Sequence, residues 1–212
     1  MADDPRVAQW NERYAGDDYI FGEVPNAFLA AQAALLRPGM RALAVADGEG
    51  RNGVWLAKHG LEVTAVDFSP VALAKSRKLA AREGVAVTTE CADLLTWDWG
   101  RDRFDLVAVI FIQFGPAERA AFFDRLKTAL KPGGLTILQA YTPKQLIHRT
   151  GGPPQLDHLY TADMLRAVFT GYDILHLREH EEALGEGKRH IGMSALVDLV
   201  ARKPQERTSR AA

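Results

Sequence analysis

The sequence predicts an α/β protein with a doubly wound, mostly parallel seven-stranded sheet that ends in an antiparallel hairpin. After residue 40, strand-like and helix-like segments alternate along the chain, which is typical of parallel sheets with helices on both faces. The segment FDLVAVIF, residues 104–111, is almost wholly apolar, as expected for a strand covered on both faces. Two final strand-like segments, residues 172–180 and 190–203, are joined by a short link and therefore pair antiparallel.

The first strands flank a glycine-rich turn. Arg41–Ala46 is a short apolar strand, and the turn after it leads into a helix that stops at Gly60. Leu61–Val66 is the second strand, and it ends next to Asp67. Ligands of open α/β sheets bind outside the carboxyl ends of the strands, so this turn marks a ligand site.

The second helix carries clear signals at both of its ends. Ser69 is suited to the N-cap and Pro70 to the first helical position, while Gly84 is suited to a left-handed C-cap. Val85–Thr89 then forms the third strand.

The following elements repeat the same order. Pro116 starts a helix that ends before a Lys-Pro-Gly-Gly turn, and Leu135–Tyr141 is the next strand. A short helix, Ala162–Phe169, precedes the final hairpin.

The amino-acid composition limits the classes of protein to which the chain can belong. The 212 residues are 47% hydrophobic and 25% charged, values typical of a globular chain. A net charge of −1 argues against a nucleic-acid or membrane partner. The N-terminus lacks the basic and apolar regions of a secretion signal, so we expect a cytoplasmic protein. We expect a single domain over residues 1–203, with an N-terminal helical or lid segment at 1–38, a core at 39–203 and a disordered tail at 204–212.

The glycine-rich turn reads GEGRNG and matches the dinucleotide pattern G-x-G-x-x-G, with Asp67 where a ribose-binding acid is expected. However, Asp47 and Glu49 are interleaved with the glycines. A carboxylate about 5 Å from a phosphate costs roughly 3 kcal/mol at an effective dielectric constant of about 20. S-adenosylmethionine has no phosphate and carries a sulfonium and an ammonium group, so the acids favour this cofactor over a dinucleotide.

Two carboxylates have predicted roles in such a site. Asp67 can accept hydrogen bonds from both ribose hydroxyls, and Asp93 can accept one from the exocyclic amine of adenine; Asp93 can equally be a helix N-cap or loop acid. A dehydrogenase would also need its own catalytic residues. The spacing Tyr-x-x-x-Lys is absent, because Tyr141 and Lys144 are one residue too close.

A series of motifs then resembles a known family. In order they are GEGRN, VTAVDFSP, ADL after the third strand, FDLVAVIF, the AER helix with LKPGG, and a final H-x-G followed by LVARK. Together they span roughly residues 10–203 and resemble the class I S-adenosylmethionine-dependent methyltransferases. Within that class they are similar to the tellurite-resistance-type and thiopurine-methyltransferase-like small-molecule enzymes.

The resemblance implies a Rossmann-like fold and methyl transfer to a small molecule, such as a thiol or a chalcogen oxyanion, with S-adenosylhomocysteine as product. It implies that the aromatic-rich segment at residues 10–30 closes over the cofactor. We predict the following cofactor-binding residues: Arg13, Tyr19, Ala46, Asp47, Gly48, Gly50, Asn52, Asp67, Phe68, Ser69, Asp93, Leu94 and Ile110. Arg149 and His190 are predicted to contact the acceptor. The histidines and acids show no metal-ligand spacing, and no catalytic residue is assigned.

The first motif departs from the family pattern. Ala44 and Ala46 stand where an acid and a glycine are usual, and Asp47 stands where a small residue or a cysteine is usual. Ala46 fits there if its φ angle is negative. Either Asp47 replaces the missing acid or cofactor affinity is weakened. Two alternative functions therefore remain: an NAD-dependent oxidoreductase that uses GEGRNG, and a non-catalytic S-adenosylmethionine-binding fold.

Overall fold

A computed structural model describes residues 4–205 and contains a seven-stranded mixed sheet in the order β3-β2-β1-β4-β5-β7-β6. The strands are β1 Arg41–Val45, β2 Glu62–Asp67, β3 Val87–Cys91, β4 Phe104–Ile110, β5 Leu130–Tyr141, β6 Asp173–Glu186 and β7 His190–Arg202. Strands β1 to β5 pair in parallel, whereas β7 is antiparallel to both β5 and β6. The predicted α/β sheet and its C-terminal hairpin are confirmed.

Helices lie between the strands and before the first one. They are α1 Pro5–Tyr14, α2 Ala27–Ala31, α3 Arg51–Lys58, α4 Pro70–Arg82, α5 Pro116–Ala129, α6 Gln145–His148 and α7 Ala162–Val168. The predicted cap of α4 is present, since the Ala72 N–H donates to Ser69 Oγ at 3.1 Å and Pro70 is the first helical residue. Helix α6 was not predicted from the sequence.

The sheet separates two hydrophobic cores. On one face, Phe122 of α5 and Leu165 of α7 pack with Val107 of β4. On the other face, Leu29 of α2 and Leu56 of α3 pack with residues of the same strands. Helices therefore cover both faces, which explains why the central strands are apolar along their whole length.

Three predicted strands have other boundaries in the structure. Strand β6 continues to Glu186 and does not end at residue 180, because residues 181–186 pair with residues 190–195 of β7 instead of forming the predicted link. Strand β3 begins at Val87, not Val85, because the Val85 N–H donates to the Ala80 carbonyl in the turn that ends α4. Strand β5 begins at Leu130, not Leu135, because the turn that contains Gly133 joins the sheet and donates a backbone hydrogen bond to Lys203. Residues 206–212 of the predicted tail lie outside the described residues.

The strand order predicts where a ligand cleft lies. The chain moves from β1 to β2 on one side, and β4 then returns to pair with β1 on the other. The strand order therefore reverses between β1 and β4, and ligands of open α/β sheets bind at the carboxyl ends of such a pair. Within residues 4–205, no helix is long and apolar enough to cross a membrane, and no cluster of metal-ligating side chains is found.

Candidate functional site

A cleft opens at the carboxyl ends of β1 and β4. It consists of two adjoining pockets of about 710 and 990 Å³, which include space open to solvent. The residues that line both pockets are Trp10, Ala46, Asp67, Phe68 and Ile112. The first pocket extends along the glycine loop to His190, and the second extends to Asp93 and Leu94 after β3.

The glycine loop follows β1 with an unusual backbone. Ala46 has φ +48°, so the expectation of a negative φ was wrong, and Gly48 and Gly50 have φ +56° and +94°. The left-handed region costs a residue with a Cβ about 1–2 kcal/mol. A Cβ on Gly48 would lie 2.8 Å from the Tyr14 hydroxyl, so the loop backbone and Tyr14 lie close together here.

Asp67 at the end of β2 lies between the two pockets and is 3% exposed. Its Oδ2 accepts a hydrogen bond from the Gly48 N–H at 2.9 Å, and its Oδ1 accepts one from the Ser69 N–H at 2.8 Å. Burial raises the pKa of Asp67 to about 6, although the backbone hydrogen bonds oppose that rise. Each carboxylate oxygen keeps a lone pair that can accept a further hydrogen bond from a ligand.

Asp47 is the second buried carboxylate of the cleft. It accepts hydrogen bonds from the Gly53 N–H at 3.2 and 3.1 Å and so caps the first turn of α3. Burial raises the pKa of Asp47 to about 7. The buried Ala44 in β1 carries no polar group, whereas Asp47, three residues later, presents a buried carboxylate in the cleft.

The other charges of the loop are paired. Glu49 Oε1 lies 2.5 Å from Lys75 Nζ, and Arg51 Nη1 lies 2.6 Å from Glu186 Oε2. Both pairs are largely buried. Lys75 also donates to the Gly16 carbonyl at 2.9 Å, and thereby ties the N-terminal segment to the loop.

The N-terminal segment lies along the cleft and contributes Trp10, Tyr14 and Phe21 to its lining. Trp10 and Tyr14 are stacked, with ring centroids 5.4 Å apart. Tyr14 is 5% exposed, and burial together with the neighbouring carboxylates raises the pKa of its hydroxyl well above 10. The hydroxyl is therefore neutral and faces the glycine loop.

The end of the cleft away from Asp93 is aromatic. Phe111, directly after β4, has φ +55°, which is uncommon for a bulky residue. Its ring centroid lies 4.9 Å from that of Tyr141 and 4.4 Å from that of His190. Phe21 contacts the same histidine, with centroids 4.6 Å apart. Burial lowers the pKa of His190 to about 3, so its ring is neutral.

The structure brings most of the predicted cofactor residues together, along with one predicted acceptor residue. Those that line the cleft are Ala46, Asp47, Gly48, Asn52, Asp67, Phe68, Asp93, Leu94, Ile110 and His190. Asp93 also shows its alternative role, since its Oδ1 accepts the Leu95 N–H at 2.9 Å.

Five predicted residues do not line the cleft. Arg13 is exposed and lies against the Trp10 ring, and Arg149 is exposed at the end of α6. The Tyr19 hydroxyl donates to the Lys75 carbonyl at 3.0 Å. Gly50 is the N-cap of α3, and Ser69 is the N-cap of α4.

Sequence reasoning did not assign Tyr14, Phe111 or Glu186 to the site. Tyr14 and Phe111 carry a weak signal, because each is an aromatic residue in a motif segment. Glu186 carries none, because its ion pair joins residues far apart in the chain.

Comparison with known proteins relates the chain to methyltransferases. Residues 42–134 match the family model of a methyltransferase domain. This region, less than half of the chain, therefore resembles a methyltransferase domain. An uncharacterized protein of Mycobacterium tuberculosis is 34% identical over 111 residues, which are 52% of this chain and 40% of that protein. Carboxy-S-adenosyl-L-methionine synthase of Geobacter metallireducens is 33% identical over 128 residues, 58% of this chain and 49% of that enzyme.

The fold is widely shared, although the chain spans only about half the length of the curated relatives it matches. A structure concerning conversion of a disulfide bond into a thioacetal group during echinomycin biosynthesis aligns with a TM-score of 0.77 at 21% identity, covering 99% of this chain and 95% of that one. The N-methyltransferase NodS of Bradyrhizobium japonicum with S-adenosyl-L-homocysteine aligns at 0.70 and 15% identity, covering 95% and 100%. TehB from Haemophilus influenzae aligns at 0.69 and 16%, covering 93% and 67%.

These comparisons support a methyltransferase that uses S-adenosylmethionine, and the residues of the cleft fit that cofactor. Asp67 is buried between the pockets with lone pairs free for ribose hydroxyls. The glycine-loop backbone lies against Tyr14 at Gly48, where only a residue without a Cβ avoids the tyrosine hydroxyl. Asp47 offers a buried carboxylate for an ammonium group and is held in place by the Gly53 N–H.

Proposed function

We propose that this protein transfers a methyl group from S-adenosylmethionine to a small-molecule acceptor by in-line displacement. The observation that carries the proposal is the position of Asp67, buried where the two pockets of the cleft meet. A ribose on Asp67 would place an adenine in the pocket near Asp93 and a methionine end beside the glycine loop. The proposed acceptor site is then the remaining aromatic end.

Three carboxylates bind three different parts of the cofactor. Asp67 accepts the ribose hydroxyls, and Asp93 accepts the exocyclic amine of adenine. Asp47 takes the ammonium group in place of the acid that Ala44 lacks. Leu94 packs against the adenine, since it lines the pocket near Asp93, and Ile110 packs beside the glycine loop; both are less than a tenth exposed.

When bound, S-adenosylmethionine supplies a methyl group on a positively charged sulfur, and its transfer to a nucleophile leaves S-adenosylhomocysteine. The main task of the protein is to hold the reacting atoms in line, about 3–3.5 Å apart. Phe111 and His190 restrict the acceptor's approach, and Trp10 and Tyr14 exclude water from the opposite side. His190 is the acceptor-contacting residue that the cleft retains, whereas the exposed Arg149 lies outside it.

The oxidoreductase alternative is less well supported by the same site. A dinucleotide pyrophosphate would lie beside Asp47 and Glu49, and the nearest cations, Lys75 and Arg51, are already paired with buried carboxylates. Repulsion between phosphate and carboxylate would then lack a compensating charge. The non-catalytic alternative is motivated by Ala44 and Ala46, and it predicts cofactor binding without methyl transfer or no cofactor binding at all.

Calorimetric titration with S-adenosylmethionine, S-adenosylhomocysteine and NADH tests the proposal. We expect the two sulfur compounds to bind and NADH not to bind. In Asp67→Ala, S-adenosylhomocysteine should bind at least about 100-fold more weakly, because two hydrogen bonds to a charged group contribute about 1.5–3 kcal/mol each. Asp124→Ala on the exposed face of α5 is the control, and thermal unfolding verifies that both variants are folded.

Near-normal affinity in Asp67→Ala would contradict the site assignment. Binding of NADH alone would favour the oxidoreductase. Binding of S-adenosylmethionine without product from any thiol or chalcogen oxyanion would favour the non-catalytic fold.

A further inference from the structure

The side chains that form the acceptor end of the cleft carry no unpaired charge. Phe21, Phe111, Ile112 and His190 line it, and Tyr141 packs behind Phe111. The histidine is held between Phe21 and Phe111 and is neutral, because burial lowers its pKa to about 3. Flat apolar surfaces of this kind match flat apolar ligands.

The cation that faces this end is neutralised. Arg51 lines the pocket, but its guanidinium is 2.6 Å from Glu186 Oε2 and its side chain is 6% exposed. Lys75, behind the loop, is paired with Glu49 in the same way. Of the other cations, Lys188 pairs with Asp18 at the surface. An anion that entered here would lose its hydration without gaining a free cation, which disfavours its binding.

Two polar atoms, one at this end and one on the ring that packs behind Phe111, keep unused hydrogen-bonding capacity. Among the described residues, His190 Nδ1 and the Tyr141 hydroxyl are buried and have no hydrogen-bond partner. Buried polar atoms in folded proteins are almost always paired, so a ligand atom or a water is expected beside them. One neutral polar atom on an otherwise apolar molecule would satisfy Nδ1 of His190, the one of the two residues that lines the pocket.

We propose that the methyl acceptor is an uncharged, flat, apolar molecule with a single polar or sulfur-bearing position, and that the site selects against oxyanions. This inference rests on the proposed methyltransferase function and narrows it, since chalcogen oxyanions were among the acceptors expected from the sequence. Glu186 is then a specificity-determining residue, because its carboxylate removes the positive charge that Arg51 would otherwise present to the acceptor.

The test uses the full chain saturated with S-adenosylhomocysteine and four probes. Calorimetry compares methyl phenyl sulfide, benzenesulfonate, benzylammonium and selenite, of which the first three share a flat ring and differ in charge. We expect methyl phenyl sulfide to bind at least tenfold more tightly than benzenesulfonate, and selenite not to bind.

Each outcome for the wild-type chain has a defined meaning. Tighter binding of benzenesulfonate, selenite or benzylammonium would overturn the inference, and so would binding of none of the probes. Failure of S-adenosylhomocysteine itself to bind would instead refute the proposed function, so the two failures are distinguishable.

The variant Glu186→Gln tests the role of the ion pair. Glutamine retains an oxygen that can accept from the Asn26 side chain and the Ala27 N–H, both now bonded to Glu186 Oε1 at 3.0 Å. It removes only the charge opposite Arg51. We expect benzenesulfonate affinity to rise at least tenfold and methyl phenyl sulfide affinity to stay within threefold.

Glu182→Gln on the exposed part of the same strand is the matched control and should change neither affinity. Unchanged selectivity in Glu186→Gln, with S-adenosylhomocysteine binding intact, would show that Arg51 does not determine the acceptor's charge.

Discussion

At the Asp67 end of the cleft, the polar groups come from two adjacent strands and the loop between β1 and α3. At the aromatic end, Phe21, Phe111 and His190 come from three segments that are far apart in the chain. The first end is polar, and its charges are fixed by backbone N–H groups and local ion pairs. The second is apolar and is fixed by ring packing. The comparison indicates that cofactor binding is encoded locally, whereas acceptor choice depends on tertiary packing.

The largest effect is expected from removal of Lys75, the cation that neutralises Glu49 at the polar end. Lys75→Met should lower the free energy of unfolding by about 3–5 kcal/mol, because it leaves Glu49 buried without a partner. Chemical denaturation measures the change. The exposed Lys78→Met on the same helix is the control and should stay within about 0.5 kcal/mol of wild type. Equal stabilities of the two variants would show that the buried pair is not needed.

The pH dependence of stability tests the polar end alone, because the two acids that titrate, Asp47 and Asp67, both lie there. Folding raises the pKa of Asp47 to about 7 and that of Asp67 to about 6, so the folded chain binds more protons than the unfolded chain between about pH 4 and 7. Stability without ligand should therefore fall as the pH rises through 6 and 7, by an amount on the order of 2 kcal/mol.

Affinity for S-adenosylhomocysteine should change in the opposite direction and increase up to about pH 7, because the ionised carboxylates accept its hydrogen bonds. Asp47→Asn should reduce both dependences. Thermal unfolding and calorimetry from pH 5 to 8 measure them, and a pH-independent affinity would contradict the roles given to both acids.

At the aromatic end, the corresponding change is Phe111→Ala. It removes the ring that packs against His190 and Tyr141 and should weaken methyl phenyl sulfide binding about tenfold, equivalent to about 1.4 kcal/mol. Affinity for S-adenosylhomocysteine should remain within threefold. The reverse result, loss of S-adenosylhomocysteine with retained probe binding, would exchange the roles of the two ends.

The smallest expected effect concerns the backbone between the two ends. Ala46→Gly should stabilise the protein by about 1 kcal/mol, because glycine adopts a φ of +48° without the steric cost of a Cβ. Ala42→Gly in the regular part of β1 should instead destabilise by about 0.5–1 kcal/mol. Both changes are measured by denaturation, and the same sign in both would contradict the strain assigned to Ala46.

The fold and the polar end follow from patterns within short windows of sequence. The apolar run at 104–111, the Ser69 cap and the spacing from the glycine loop to Asp67 each reflect contacts between near neighbours in the chain or along adjacent strands. Such contacts are set by hydrogen-bonding geometry and periodicity, which can be read from residue types.

The aromatic end could not be predicted in this way. Arg149 has the right chemistry for an anionic acceptor, but the sequence does not show that it is exposed at the end of α6. At the polar end, the same difficulty applies to Ser69, whose hydroxyl caps helix α4 and does not line the cleft. The neutralisation of Arg51 by Glu186 depends on where the final hairpin packs, and no local pattern records that.

The contacts of Glu186 also have a consequence for how the protein is made. Asn26 and Glu186 are 160 positions apart, and Lys188 bonds Asp18 across 170 positions. Ribosomes add about 5–20 residues per second, so the N-terminal segment leaves the ribosome many seconds before its partners exist. The sheet around β1, β2 and β4 can form meanwhile, and the cleft is closed only when the last hairpin has been synthesised. Competence to bind is therefore acquired only after the final hairpin has been synthesised.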